Sequence, residues 1–185
     1  MECRKLDINL VSAKNLPDVR NYGRMKVYAE VSINGISKTA IKTQDDKQNE
    51  CNPSWNCSIV YTIGERAVQA TNIDLVIKLF TKRTFGDRYI GEVKLALKSL
   101  FENGVSAQNV SHAVSGTTSG ILNISYSFGE KIVVERPSGL YYDNTWDNED
   151  NDNTGDYVPI IIQGVMIVIK VSIILMTGGA FDGGL

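Results

Sequence analysis

Alternation of apolar and polar residues is the feature that most limits what this 185-residue chain can fold into. Residues 6–10 alternate apolar and polar side chains, and the same period of two recurs in 27–33, 73–79 and 122–128. Such alternation indicates strands with one face on a core and the other in water. Weaker strand patterns cover 36–43, 57–63, 90–97 and 110–114. Eight short strands separated by turn signals predict an all-β fold, an eight-stranded antiparallel β-sandwich, with one helical turn at 98–103.

The net charge of -2 conceals two unlike halves. Residues 1–128 hold 16 Lys and Arg against 12 Asp and Glu, whereas residues 129–185 hold 3 against 9. The hydrophobic fraction of 43% excludes a wholly disordered or collagen-like chain. The asymmetry predicts a mildly basic domain that carries an acidic tail, and we expect no nucleic-acid partner.

Three segments follow from these patterns: a sandwich domain at 1–129, an acidic linker at 130–156 and an apolar, Gly-ended tail at 157–185. Within the linker, residues 141–156 carry six carboxylates and no basic residue, which is typical of a disordered segment. Trp146 lies in it and is a candidate anchor for a protein partner.

The tail contains a 19-residue apolar run, 158–176, with fourteen Ile, Val, Leu or Met residues. Its length meets that of a membrane span. Its Ile, Val and Leu residues favour insertion by roughly 5 kcal/mol, whereas Lys170 opposes it by up to about 2.5–3.5 kcal/mol, so insertion is marginal. Gln163 and Lys170 would share one helical face and could pair in a homo-oligomer. The alternative is a strand that docks on the sandwich, since Ile and Val favour strands.

The sequence offers no recognisable catalytic machinery. Its single histidine, His112, lies in a strand pattern without a nucleophile motif, and there is no phosphate-binding loop. The three cysteines lack metal-ligand spacing and are expected to be reduced thiols. Residues 1–7 contain no apolar stretch of a signal peptide, which favours a cytosolic location. We expect no enzyme activity and no cofactor.

Several motifs together resemble a C2 domain. The opening strand and loop end in Asn15-Leu16-Pro17, the block Asn52-Pro53-Ser54-Trp55-Asn56 is similar to the Asn-Pro-x-Trp-Asn hallmark, and Ile90-Gly91-Glu92-Val93 is similar to the strand after the third loop. The late segment 120–129 is similar to the last strand of small plant C2 proteins of the cold-regulated soybean type. That resemblance covers residues 4–129 and implies a β-sandwich of type II topology, with three loops at one end.

In Ca²⁺-binding C2 domains, loops 1 and 3 supply about five Asp carboxylates, because Ca²⁺ takes roughly 6–8 oxygen ligands. The resemblance implies which positions would match here. They are Asp18, Lys26, Thr81, Arg83 and Arg88, with Asp87 beside the last. Two carboxylates, Asp18 and Asp87, among cations make a poor Ca²⁺ site, so we expect no bound metal.

The same loops supply candidate lipid-binding residues. Six are cationic, and two are aromatic residues that could enter the membrane interface: Arg20, Tyr22, Arg24, Lys26, Lys82, Arg83, Phe85 and Arg88. Each Lys or Arg near an anionic leaflet contributes about 1 kcal/mol. Lys38 and Lys42, expected on one face of the third strand, form a secondary basic face.

The resemblance and the loop charges lead to one functional hypothesis. It is a Ca²⁺-independent C2 module that associates with anionic membrane lipids and acts as an adaptor in plant stress or defence responses. It would lie at the cytoplasmic face of a membrane, with the tail as a C-terminal anchor if it inserts, and in the cytosol otherwise. The alternative is a C2 module that binds a protein partner and has no direct lipid role.

Overall fold

The computed structural model describes residues 1–134 and, beyond them, the strand segments 158–162, 165–169 and 172–174. The strands are β1 Glu2–Lys14, β2 Val27–Ile33, β3 Ile41–Lys42, β4 Ser54–Gly64, β5 Asp74–Thr81, β6 Arg88–Ala96, β7 Ser106–Ala113, β8 Ile121–Val133, β9 Val158–Ile162, β10 Val165–Ile169 and β11 Ser172–Ile174. The described residues also form two short helices, α1 Glu65–Val68 and α2 Leu97–Glu102, and a 3₁₀ turn at Ser37–Thr39.

Two antiparallel sheets form the sandwich. One has the order β11-β4-β1-β8-β7 and the other β3-β2-β5-β6. Within residues 1–134 there are eight strands, as predicted, although the third is much shorter than expected, and the β-sandwich is confirmed. The last of the eight, β8, extends to Val133, where it still pairs with Glu2, and so passes the predicted boundary at residue 129.

The core lies between the sheets and is built from the apolar half of each alternating strand. Leu6, Ile8 and Leu10 of β1 are completely buried. Burying a Leu or Ile side chain contributes about 1.5–3 kcal/mol, so the strand faces are fixed by their pattern. The buried Tyr61 of β4 crosses the core and donates its hydroxyl to the carbonyl of Val31, in the opposite sheet, at 2.9 Å.

The predicted strand at 36–43 is mostly wrong. Residues Ser37–Thr39 form a 3₁₀ turn, and only Ile41 and Lys42 pair with β2. The hydroxyl of Thr39 explains the difference, since it accepts from the Ile33 N–H at 2.8 Å and donates to the Ile36 carbonyl at 2.7 Å. These local bonds replace ladder bonds of a strand. The predicted helical turn at 98–103 is confirmed as α2, whereas α1 was not expected from the sequence.

The outer strand β7 is interrupted by a bulge. Its register with β8 shifts between Ala107 and Val110, and Asn109 adopts a positive φ of 50°. The N–H of Asn109 donates to the Ser125 side chain at 3.0 Å instead of to a ladder carbonyl. Such a bulge twists the strand and breaks the regular row of backbone groups.

The described parts of the apolar run are strands. β9 and β10 form an antiparallel hairpin, β10 lies beside β4 and α1, and β11 pairs with β4. Among the described residues, no helix has the length and apolar character needed to cross a membrane. The C-terminal anchor stays a prediction, and the linker with Trp146 lies outside the described residues.

Candidate functional site

Three connections meet at one end of the sandwich. They are loop 1 (15–26, between β1 and β2), loop 2 (43–53, between β3 and β4) and loop 3 (82–87, between β5 and β6). Backbone hydrogen bonds join them: the Leu16 N–H donates to Cys51 at 3.0 Å, and the Lys82 N–H donates to Lys26 at 2.8 Å. We call these three loops, together with Arg88 at the start of β6, the loop apex.

Asp46 organises loop 2 from its centre. Its carboxylate accepts from the backbone N–H groups of Gln48, Asn49 and Ser54 at 2.8–2.9 Å, and from the Asn49 amide at 2.7 Å. Partial burial opposes ionisation of this carboxyl, but the hydrogen bonds outweigh it and lower its pKa to about 2. Its own backbone pairs with Val27 in both directions, so loop 2 is held against β2.

Asp18, the first of the five positions that match Ca²⁺ ligands in other C2 domains, forms an ion pair with Arg20. Two guanidinium nitrogens of Arg20 contact its carboxylate at 2.8 and 2.7 Å, and these bonds lower the pKa of Asp18 to about 2. The same guanidinium contacts Glu50 of loop 2 at 3.0 Å and donates to the Gly23 carbonyl at 2.6 Å. Arg20 is therefore neutralised by two carboxylates, and its side chain is only 21% exposed. This differs from the expectation of a free loop cation.

Asp87 precedes Arg88, the last of the five matching positions, and its carboxylate also accepts hydrogen bonds from the protein itself. Its carboxylate accepts from the Tyr28 hydroxyl at 2.7 Å and from the Arg83 backbone N–H at 3.2 Å. The hydrogen bond from Tyr28 is the main cause of the lowered pKa of Asp87. Asp18 and Asp87 are thus each matched to donors of the protein itself. In the part of the chain that the structure describes, no three His, Cys, Asp or Glu side chains group as metal ligands.

The remaining predicted cations of the apex point to solvent. Arg24, Lys26, Lys82, Arg83 and Arg88 are all exposed. Arg88 donates to the Val19 carbonyl at 2.7 Å, and Arg24 lies 3.6 Å from Glu50. Among the described residues, Lys26, Lys82 and Arg83 have no carboxylate within ion-pair distance.

Loop 2 changes the charge of the apex. It brings Asp45, Asp46 and Glu50 against Lys47, which sequence reasoning about loops 1 and 3 alone did not count. Seven cations then face five carboxylates, a net charge of +2 instead of the +4 of loops 1 and 3 with Arg88. The charge of loop 2 could have been counted from the sequence, because a C2-like sandwich brings all three loops to the same end.

Two aromatic side chains project from the tips of the apex. Tyr22 is 96% exposed and Phe85 is 100% exposed. Each is followed by a glycine with positive φ, Gly23 at 75° and Gly86 at 93°, which side-chain-bearing residues rarely adopt. At these turns both rings are almost fully exposed and form no ring contact with another aromatic residue among the described residues.

The secondary basic face is not built as predicted. Lys38 lies in the 3₁₀ turn, so the alternation that would put it on the same strand face as Lys42 does not apply. Lys42 lies 3.5 Å from Glu30 and 5.4 Å from the centre of the Tyr28 ring. Tyr28 stacks on Phe80, which contacts Tyr89 edge-on. A shallow cavity of about 190 Å³ separates this face from loop 3, lined by Tyr28, Lys42, Thr43, Asp45, Lys82 and Asp87.

Trp55, His112 and the three cysteines, which the sequence analysis also considered, are all at least partly buried in the domain. Trp55 is partly buried against the core and donates its indole N–H to the Val27 carbonyl at 3.0 Å. His112 is half-buried on β7, its Nε2 has no hydrogen-bond partner among the described residues, and burial lowers its pKa. Cys3, Cys51 and Cys57 are free thiols whose pKa values are raised by burial.

Comparison with known proteins agrees with this architecture. The profile described as "C2 domain" matches residues 4–112. The Arabidopsis thaliana protein named Protein SRC2 homolog is 36% identical over 145 residues, which are 75% of this chain and 45% of that protein. Protein SRC2 of Glycine max is 36% identical over 140 residues, 71% of this chain and 48% of that protein. The chain thus spans about half the length of these relatives.

Solved structures resemble the sandwich at low identity. A structure of the paired C2 domains of Extended-Synaptotagmin 2 superposes with a TM-score of 0.57 at 17% identity, covering 67% of this chain and 40% of that one. Human GIVD cytosolic phospholipase A2 superposes with a TM-score of 0.56 at 16% identity, covering 69% and 17% respectively. At such identities the likeness shows the fold alone.

Proposed function

Because this chain belongs to the C2 domain family, we propose that it is a Ca²⁺-independent module that binds anionic membranes through its loop apex and serves as an adaptor in plant stress or defence responses. One observation carries the proposal. Exposed cations and two unpacked aromatic rings share the end of the sandwich at which the acidic positions are engaged by the chain's own donors. The adaptor role follows from the resemblance to the small plant C2 proteins of the cold-regulated soybean type.

The engaged carboxylates support independence from Ca²⁺. A Ca²⁺ ion would have to displace Arg20 from Asp18 and Tyr28 from Asp87. It would also meet the cations Lys26, Arg83 and Arg88 at the matching positions. Ca²⁺ favours several negatively charged oxygen ligands, which this arrangement does not offer.

The apex charge supports weak, salt-sensitive attachment. Each exposed Lys or Arg contributes about 1 kcal/mol near an anionic leaflet, whereas the carboxylates of loop 2 oppose it, so a net of +2 yields roughly 2 kcal/mol. Full burial of a Phe side chain adds at most about 1.5–3 kcal/mol. Neither contribution is large, and we expect attachment to require both Phe85 and the cations.

Charge reversal tests the lipid-binding part. The variant Lys82→Glu with Arg83→Glu should bind vesicles of phosphatidylcholine and phosphatidylserine at least about tenfold more weakly than the unmodified chain. The matched control, Arg66→Glu with Lys98→Glu, makes the same change of charge at the opposite end and should bind normally. Co-sedimentation at low and high salt measures both. Equal loss in both variants, or binding that ignores phosphatidylserine, would reject the apex as the binding surface.

Titration calorimetry tests the calcium part. We expect no heat of binding when Ca²⁺ is added to the protein, and vesicle binding that is the same with Ca²⁺ or with a chelator. A micromolar Ca²⁺ site would contradict the proposal.

The location of the protein in cells distinguishes lipid binding from the alternative function, a C2 module for protein interaction. A fluorescent fusion carrying Arg83→Glu and Arg88→Glu should lose its membrane location in plant cells. A fusion that keeps this location but loses a specific protein partner would favour the alternative.

A further inference from the structure

The outer edge of β4 is occupied by the chain's own C-terminal strand. β4 pairs with β1 on one side, and on the other side Ser172, Ile173 and Ile174 of β11 lie opposite Val60, Ile59 and Ser58. Without β11, β4 would be the outer strand of this sheet. An outer strand presents unpaired N–H and C=O groups, so the edge of β4 is a template for a further strand.

The occupant is part of the apolar run. β11 lies inside the stretch 158–176 that the sequence marks as long enough for a membrane span. Insertion would require these residues to form a continuous helix, since a lone strand leaves its backbone groups unpaired in lipid. For residues 172–174, pairing with β4 and insertion as part of a helix in a bilayer would therefore exclude each other.

We propose that the edge of β4 is the docking site of this tail and that docking withholds the apolar run from the membrane. The free energy of membrane insertion is marginal, because Lys170 offsets much of the favourable contribution of the Ile, Val and Leu residues. A short strand pairing can shift a marginal equilibrium, whereas it could not restrain a strongly inserting helix. The inference deepens the proposed membrane function: the apex brings the protein to the lipid, and release of β11 decides whether it stays.

A reversible crosslink tests this in the full chain. Val60 and Ser172 lie opposite each other in register, so Val60→Cys with Ser172→Cys should form an intramolecular disulfide on oxidation. With vesicles of phosphatidylcholine and phosphatidylserine, we expect the oxidised protein to show at least about a tenfold smaller fraction resistant to carbonate extraction. Addition of reductant to the same sample should restore that fraction.

The controls separate the outcomes. The unmodified chain, whose Cys57 is buried, should not respond to oxidant or reductant. The pair Ser58→Cys with Ile174→Cys, in the same register, replaces the first pair if circular dichroism shows that the first variant is unfolded. Failure of both pairs to crosslink, a crosslink only between two copies, or a crosslinked monomer with unchanged insertion would each overturn the inference.

The two proposals fail in different ways. If Lys82→Glu with Arg83→Glu leaves the salt-extractable binding unchanged while the crosslink still governs carbonate resistance, the apex proposal fails alone. If that charge reversal abolishes binding as expected but the crosslink has no effect on carbonate resistance, the docking inference fails alone.

Discussion

Arg83 at the loop apex and Arg4 at the other end of the sandwich have opposite surroundings. At the loop apex, Arg83 is exposed and has no ion pair among the described residues. At the other end, Arg4 is 13% exposed, lies 3.0 Å from Glu65, donates to the Gly129 carbonyl at 2.8 Å and sits 5.0 Å from the centre of the Phe101 ring. The Arg4 guanidinium holds the pKa of Glu65 below its usual range. Surroundings, and not the number of cations, separate a structural arginine from one available to a ligand.

The largest expected effect comes from Arg4→Ala. It leaves Glu65 half-buried with only Lys131 nearby, at 3.5 Å, and removes the contact with Phe101. We expect the free energy of unfolding to fall by about 2–3 kcal/mol, measured by urea denaturation. Arg24→Ala, at a side chain 72% exposed, should change it by less than about 0.5 kcal/mol. Equal losses in the two variants would contradict the contrast between the ends.

The second effect concerns the aromatic tips. Tyr22→Ala with Phe85→Ala should weaken binding to anionic vesicles by about tenfold or more, because two exposed rings can bury apolar surface only at a partner. The stability of the domain should not change, since neither ring packs on the core. The control is Val105→Ala, 57% exposed at the far end, which should leave both vesicle binding and stability nearly unchanged.

The third effect tests the centre of loop 2. Asp46→Asn keeps the shape of the side chain but loses the charge and part of its capacity to accept four hydrogen bonds, so we expect a loss of about 1–2 kcal/mol in unfolding free energy at neutral pH.

Acid provides the second measurement on Asp46. Its pKa of about 2 lies below the ordinary value near 4, so the stabilisation is complete above about pH 4 and disappears as the pH falls toward 2. The unmodified protein should therefore lose stability more steeply than Asp46→Asn between these pH values. Parallel curves would show that the carboxylate is not the group that holds the loop.

The smallest expected effect is on vesicle binding when one negative charge is removed from the loop apex. Glu50→Gln removes a carboxylate that faces Arg20 and Arg24, so binding to anionic vesicles should tighten a few-fold. Glu102→Gln, an exposed carboxylate at the opposite end, should leave binding unchanged. Equal tightening in both would show that total charge matters more than the position of the apex.

The sandwich could be predicted from the sequence because four of its strands alternate apolar and polar residues. Leu6, Ile8 and Leu10 can share a core face only in an extended conformation. The same reasoning failed at 36–43, where one hydroxyl, that of Thr39, redirects the backbone into a 3₁₀ turn. A propensity pattern carries no information about such a side-chain bond.

The exposed residues of the loop apex could be predicted from the sequence, but its ion pairs could not. The exposed positions of Lys82, Arg83 and Phe85 follow from their place between the predicted strands 73–79 and 90–97. The pairing of Arg20 with Glu50 joins residues thirty positions apart and depends on how loop 2 folds over loop 1. Asp46 had a local signal, since an Asp ahead of an Asn-Pro turn often caps backbone N–H groups, but its bond to Ser54 depends on how the whole of loop 2 folds.

The bulge at Asn109 acquires a meaning once the protein is held at a surface. Molecules confined to a bilayer diffuse in two dimensions, and their local concentration rises well above that in bulk solution. Under such crowding, regular outer strands would invite side-by-side polymerisation of neighbouring sandwiches. β7 resists this because its bulge twists the row of backbone groups out of register with any incoming strand. If the protein binds membranes as proposed, the left-handed conformation of Asn109 would thus favour separate molecules over a growing sheet.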